Sequence, residues 1–225
     1  MSIPAQNSAY PLHDYRLHLP SARAAHEIYP SHNLWSYQPD HHSRGRSWHH
    51  QPTSTIPSPV FHAYLDGSST FSSDAQVRVD LSAFHLAPRL RRRSLPWADC
   101  EVPATSPMLQ HIRIVCDAVP QWPIDRPLAR GITVGDILYA VHTSLQTPIT
   151  HNEWARLSPR REAEVHRAYT RRCKAYAPTE HQVRHGGVRR VDYLGKKCQF
   201  RGLVWIAPEN GIQRARLRLD THRSL

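Results

Sequence analysis

At Val77 the chain changes character. From there to Asp220, apolar residues recur with a period of two or of about 3.6, and before it neither period is sustained. A backbone buries an apolar face only as a strand or helix of matching period, so this switch limits where a packed domain can lie. "VRVDL" (77–81) sets Val77, Val79 and Leu81 against Arg78 and Asp80, the pattern of a half-buried strand. "HIRIVC" (111–116) alternates likewise, and "QWPID" (121–125) answers it across "DAVP". Pro123 cannot donate to a ladder, so the second arm is expected at an edge or to be short. In "TVGDILYAVHTSL" the residues Val134, Ile137, Leu138, Val141 and Leu145 form one helical stripe. Thr133 is its N-cap, and Asp136 brings negative charge to the positive helix end.

Thr150 and Glu153 repeat that cap ahead of Trp154, predicting a short second helix. "SPRREAEVHRAYTRRCKAY" starts with Ser158 as cap and Pro159 at the first helical position. Val165, Ala168, Tyr169, Cys173 and Tyr176 give it an apolar seam, and Pro178 stops it. "GVRRVDYLGKKCQFRGLVW" (187–205) reads as a hairpin turning at Gly195-Lys196-Lys197, with Asp192 paired across strands to Arg201 or Arg190. "RARLRLD" (214–220) is a strand with Ala215, Leu217 and Leu219 on one face and Arg214, Arg216 and Arg218 on the other. "RLRRR" (89–93) and "VPATSPM" (102–108) are expected in loops, the arginine run as either a solvated loop or a nuclear-import or phosphate-binding patch. These pieces predict an α+β domain over 77–220, with a small, mostly antiparallel sheet, two or three helices and a short tail at 221–225.

Residues 1–76 hold eight prolines and nine histidines among many Ser, Asn and Gln residues. Too little apolar surface clusters there to offset the entropy of ordering the chain, so a disordered N-terminal region is expected. "HHSRGRSWHH" (41–50) gathers imidazoles but has no defined pair spacing, so it reads as low complexity rather than a metal site. Four cysteines lie far apart with no CxxC pair, as for reduced intracellular thiols. The first twenty residues lack the basic start and apolar run of a signal peptide, and no window approaches the roughly 18 apolar residues of a membrane span. A soluble protein of the cytoplasm or nucleus is the expectation, with no membrane partner.

In order, "VPATSPM", the Trp and Ile of "QWPID", "ITVGDILYAVHTSLQTPIT", "EW", a helix rich in Ala, Tyr and Arg, and "GVRRVDYLGKKCQFRGL" resemble a family of proteins from mushroom-forming fungi. That family is catalogued as domain of unknown function 6699. The similarity covers about residues 78–220, includes the strand, helix and hairpin motifs in the same order, and leaves the first 76 residues outside. It implies a domain boundary and a fungal origin, and carries no activity, cofactor or catalytic residue. One departure is that Trp205 and Ile206 follow "FRGL" directly, where the resemblance leads one to expect polar residues.

The chemistry-bearing residues form no recognised constellation. There is no GxSxG, Gly-rich phosphate loop, HExxH or paired metal-ligand spacing, so no catalytic residue, metal or cofactor is assigned. Cys173 lies on a helix seam, where a buried, inert thiol is the simpler reading than a nucleophile. Charge is distributed unevenly: residues 1–76 sum to −1 and residues 77–225 to +12. A basic domain draws anionic partners, here an acidic protein or nucleic acid. The contact residues assigned are Arg189, Arg190, Lys196, Lys197, Arg201, Arg214, Arg216 and Arg218. Three functions stay open. They are a non-catalytic interaction module with a basic sheet face, a nucleic-acid or polyanion binder, and an enzyme whose site is not visible in sequence. The competing structural reading makes the same charges strand-edge protection instead.

Overall fold

The computed structural model describes residues 58–68, 75–90, 93–176 and 179–221, all inside one compact unit, Ser54–Leu225. The disorder expected for residues 1–76 falls outside the described residues at 1–57 and 69–74, as do the histidine block at 41–50 and the tail beyond Thr221. The strands are β1 (Val60–Phe61), β2 (Val77–Asp80), β3 (Arg89–Leu90), β4 (Arg93–Ser94), β5 (Thr105–Ser106), β6 (His111–Val115), β7 (Ile124–Pro127), β8 (Gln199–Glu209) and β9 (Ile212–Asp220). The helices are α1 (Trp97–Cys100), α2 (Val134–Gln146), α3 (His151–Ala155), α4 (Pro159–Ala175) and α5 (Glu180–His185), with a 3₁₀ turn at Arg190–Leu194.

Alternation builds the sheet. Ile112 and Ile114 of β6 and Ala215 and Leu217 of β9 are buried, while Arg216 and Arg218 are exposed. β6 and β9 run parallel with Ile114 opposite Ala215, so the buried residues of both strands share one face. The seven strands follow the order β4-β3-β2-β8-β9-β6-β7, with every other pair antiparallel, and β1 pairs with β5 in a separate ribbon. On the buried side, α2 contributes Val134, Ile137, Leu138, Val141 and Leu145 and α4 contributes Val165 to a single core with Leu203 and Phe200 of β8. The Thr133 hydroxyl accepts the Asp136 N–H and the Asp136 carboxylate accepts the Thr133 N–H, closing the capping box of α2.

The sheet is therefore not the small one expected. It is a seven-stranded mixed sheet beside a two-stranded ribbon, with five helices among the described residues rather than two or three. Part of "RLRRR" lies in β3 and β4 instead of a loop. The hairpin also moves. Val191, Asp192, Tyr193 and Leu194 are buried consecutively, which a two-residue period cannot do and a helical turn packed under α4 can. The true hairpin joins β8 to β9 through Asn210-Gly211, both at positive φ (51° and 77°), the backbone a two-residue turn demands.

Residues 58–68 are also part of this fold. Leu65 is fully buried, and the Phe61 ring stacks on Trp205 at 4.0 Å. The segment pairs with β8, because Leu203 donates to the Leu65 carbonyl (2.7 Å) and Gly67 to the Leu203 carbonyl (2.9 Å). That approach needs Gly202, at φ +112°, where any Cβ would sit 2.7 Å from the Leu65 oxygen and the Gly67 nitrogen.

Candidate functional site

The core lies on one side of the central strands. The other side presents Arg113 and Val115 from β6, Arg214, Arg216 and Arg218 from β9, and Val204 and Ile206 from β8, by the register of these strands. Acids interleave with the cations. Arg113 grips Asp125 with two bonds, Nε to Oδ1 at 2.7 Å and Nη2 to Oδ2 at 3.1 Å, which holds that carboxyl below its ordinary range. Arg214 lies 3.6 Å from Glu209, Arg216 3.3 Å from Asp117, and Arg201 3.3 Å from Asp220. Arg218 is exposed and makes no ion pair among the described residues. The face is thus of mixed charge, although no acid separates the arginines in sequence.

The other assigned residues sit elsewhere. Arg189 is half-buried, donating to Gln146 Oε1 at 2.8 Å and lying over the Phe84 ring, and desolvation depresses its pKa. Arg190 lies 4.8 Å over the Trp122 ring, whose indole N–H donates to Glu153 at 2.6 Å. Lys196 and Lys197 are exposed beyond the 3₁₀ turn. The structure brings together Arg214, Arg216 and Arg218, and places Arg189 and Arg190 in packing roles beside the helices.

Asp192 does not pair with Arg201 or Arg190. Its carboxylate takes two bonds from Arg172, both at 2.8 Å, plus the Arg189 backbone N–H at 2.9 Å. Both side chains are almost wholly buried, at 4% and 2% exposure, and Arg172 also donates to the Gly187 carbonyl. The pair ties α4 to the 3₁₀ turn. Its signal in the sequence was the spacing: Arg172 follows Val165 and Ala168 on the seam of α4 at helical intervals. Beside the pair lies a cavity of about 350 Å³ reached by Asp80, Arg171, Lys196 and Cys198.

The four cysteines are unpaired, and Cys173 is fully buried. Burial, then the charge of Asp80, pushes the Cys198 thiol up to about 12, so it stays protonated. Among the described residues no group of three or more His, Cys, Asp or Glu side chains is arranged to hold a metal ion. Among the same residues no helix is long and apolar enough to cross a membrane.

No curated protein and no solved structure matches this chain. One family model does, described as a family of unknown function (DUF6699), and it aligns with residues 73–214. That match takes in β2 through the start of β9, including α2, α4, the buried Arg172–Asp192 pair and the hairpin turn, and it spans well over half of the chain. The chain belongs to the DUF6699 family.

Proposed function

We propose that the domain is a binding module that recognises an acidic protein partner through the sheet face of β8, β9, β6 and β7. The observation that carries this reading is the alternation on β6 and β9. It commits one side of each strand to the core and leaves guanidinium groups on the other, next to the half-buried aliphatics Val115, Val204 and Ile206. Arginine is enriched at protein interfaces, whose cores are more apolar than the rest of the surface. A phosphodiester chain carries a charge at every step and meets Asp117, Asp125 and Glu209 on this face, whereas a protein with a few spaced carboxylates meets the exposed Arg216 and Arg218 between them.

The test compares the full chain with an Arg216→Glu/Arg218→Glu variant. Proteins captured by the first and lost by the second are purified and titrated one at a time. The expected result is a partner whose affinity falls at least about tenfold on charge reversal and weakens as salt rises. Equal capture by both chains overturns the reading. Binding of mixed-sequence RNA with a steep salt slope, lost in the variant, assigns the face to polyanions instead.

A further inference from the structure

The cavity between α4, the Arg190–Leu194 turn and the end of β2 measures about 350 Å³, the lower end of small-molecule sites. Its charged lining sorts into groups that pair with each other and groups that do not. Arg172 and Asp192 neutralise each other in the wall. Asp80 has Oδ1 occupied by the Ser82 N–H (2.9 Å) and hydroxyl (2.6 Å), yet it meets no cation within ion-pair distance among the described residues. Arg171 donates from Nη2 to the Gly195 carbonyl (3.0 Å) and makes no ion pair among the described residues. Lys196 is exposed and likewise makes no ion pair among the described residues. One carboxylate and two cations thus line a shared hollow without reaching each other. Ala168, Ala175 and Val191 add apolar wall to it, beside the polar Ser82 and Thr221.

We propose that this cavity binds a small zwitterion, an aliphatic α-amino acid, with its ammonium group on Asp80 and its carboxylate on Arg171 and Lys196. Charge-assisted bonds to both ends of one molecule satisfy the three groups together, and the apolar walls take the side chain. A plain carboxylic acid forgoes the charge-assisted bond to Asp80, and a plain amine forgoes those to the cations; each loses part of the affinity. The Cys198 thiol, kept protonated, adds no competing negative charge. None of the sheet-face arginines lines the cavity, so loss of the acidic-partner surface leaves this site unaffected.

Amide spectra of the full chain, titrated with L-leucine, L-valine and L-methionine to about 10 mM, test the site. Isocaproate and isoamylamine, the leucine skeleton without its amine or without its carboxylate, are titrated beside them. The expected result is saturable shifts confined to residues 168–175 and 191–198 and to Asp80, with either half-molecule at least about tenfold weaker. Lys196→Gln, an exposed change that leaves the fold intact, and Asp80→Asn each weaken leucine by about the same factor. Absence of shifts from all three amino acids overturns the assignment. So does isocaproate binding as tightly as leucine, or affinity unchanged in both variants.

Discussion

At the residue scale, Arg172 and Asp192 bury two full charges against each other. Two charges at 4% and 2% exposure persist only because the bidentate geometry and bonds to Gly187 and Arg189 satisfy them. Asp192→Asn leaves an uncompensated guanidinium and is expected to cost about 3–5 kcal/mol by urea denaturation. Replacing both, as Arg172→Met with Asp192→Leu, is expected to recover most of that loss. His142 gives a pH signature. Its Nε2–H donates to the Ala83 carbonyl at 2.9 Å, and burial holds the imidazole below its ordinary 6.5. The unfolded chain therefore takes up a proton near 6.5 while the native chain resists until lower pH. The stability linked to His142 is full above about 6.5 and declines as pH falls toward the depressed native value. In melts between pH 5 and pH 8, wild type is expected to lose stability on the acid side, and His142→Gln to lack that component.

Among the elements, α2 was legible down to its cap because the whole signal lies within fourteen residues. Thr133→Ala is expected to cost about 1 kcal/mol, the usual loss of a capping hydroxyl. Leu138, 2% exposed, tolerates no charge, and Leu138→Asp is expected to abolish the cooperative melt. The β8–β9 hairpin carried a local signal too, Asn210-Gly211 between alternating runs. The charged turn at Gly195-Lys196-Lys197 reads as a competitor, but it ends a 3₁₀ turn and begins no hairpin. Gly202 had no local signal at all. Gly202→Ala strains a left-handed φ and drives a methyl into residues 65–67, so a loss of at least about 2 kcal/mol is expected by chemical denaturation.

For the whole molecule, residues 58–68 act as a strand-like cover for β8. A chain beginning at Ser58 is expected to melt well above one beginning at Gln76, by several kcal/mol. Burying Leu65 contributes about 1.5–3 kcal/mol, and the Phe61–Trp205 stack adds about 0.5–1.5. Equal melting of the two chains would show that this cover is dispensable. Gln76, buried and donating to the Asp66 and Arg201 carbonyls, closes the same seam.

By itself the sequence determined α2, α3 and α4 with their caps, the strands at 77–80 and 111–115, and the two faces of β9, because periodicity and capping are decided within one or two turns of chain. Only the tertiary structure decided the rest. The parallel pairing of β6 with β9, the joining of residues 65–67 to β8, and the union of Arg172 with Asp192 each link segments remote in sequence. The arginines of β9 show the difference most clearly. Their alternation was local and legible, whereas their partners Asp117 and Glu209 reach them only through strand pairing and the hairpin turn. A period states which face of an element is buried. It holds no information about which distant element arrives on the other side, since that choice is made by the packing of the whole core.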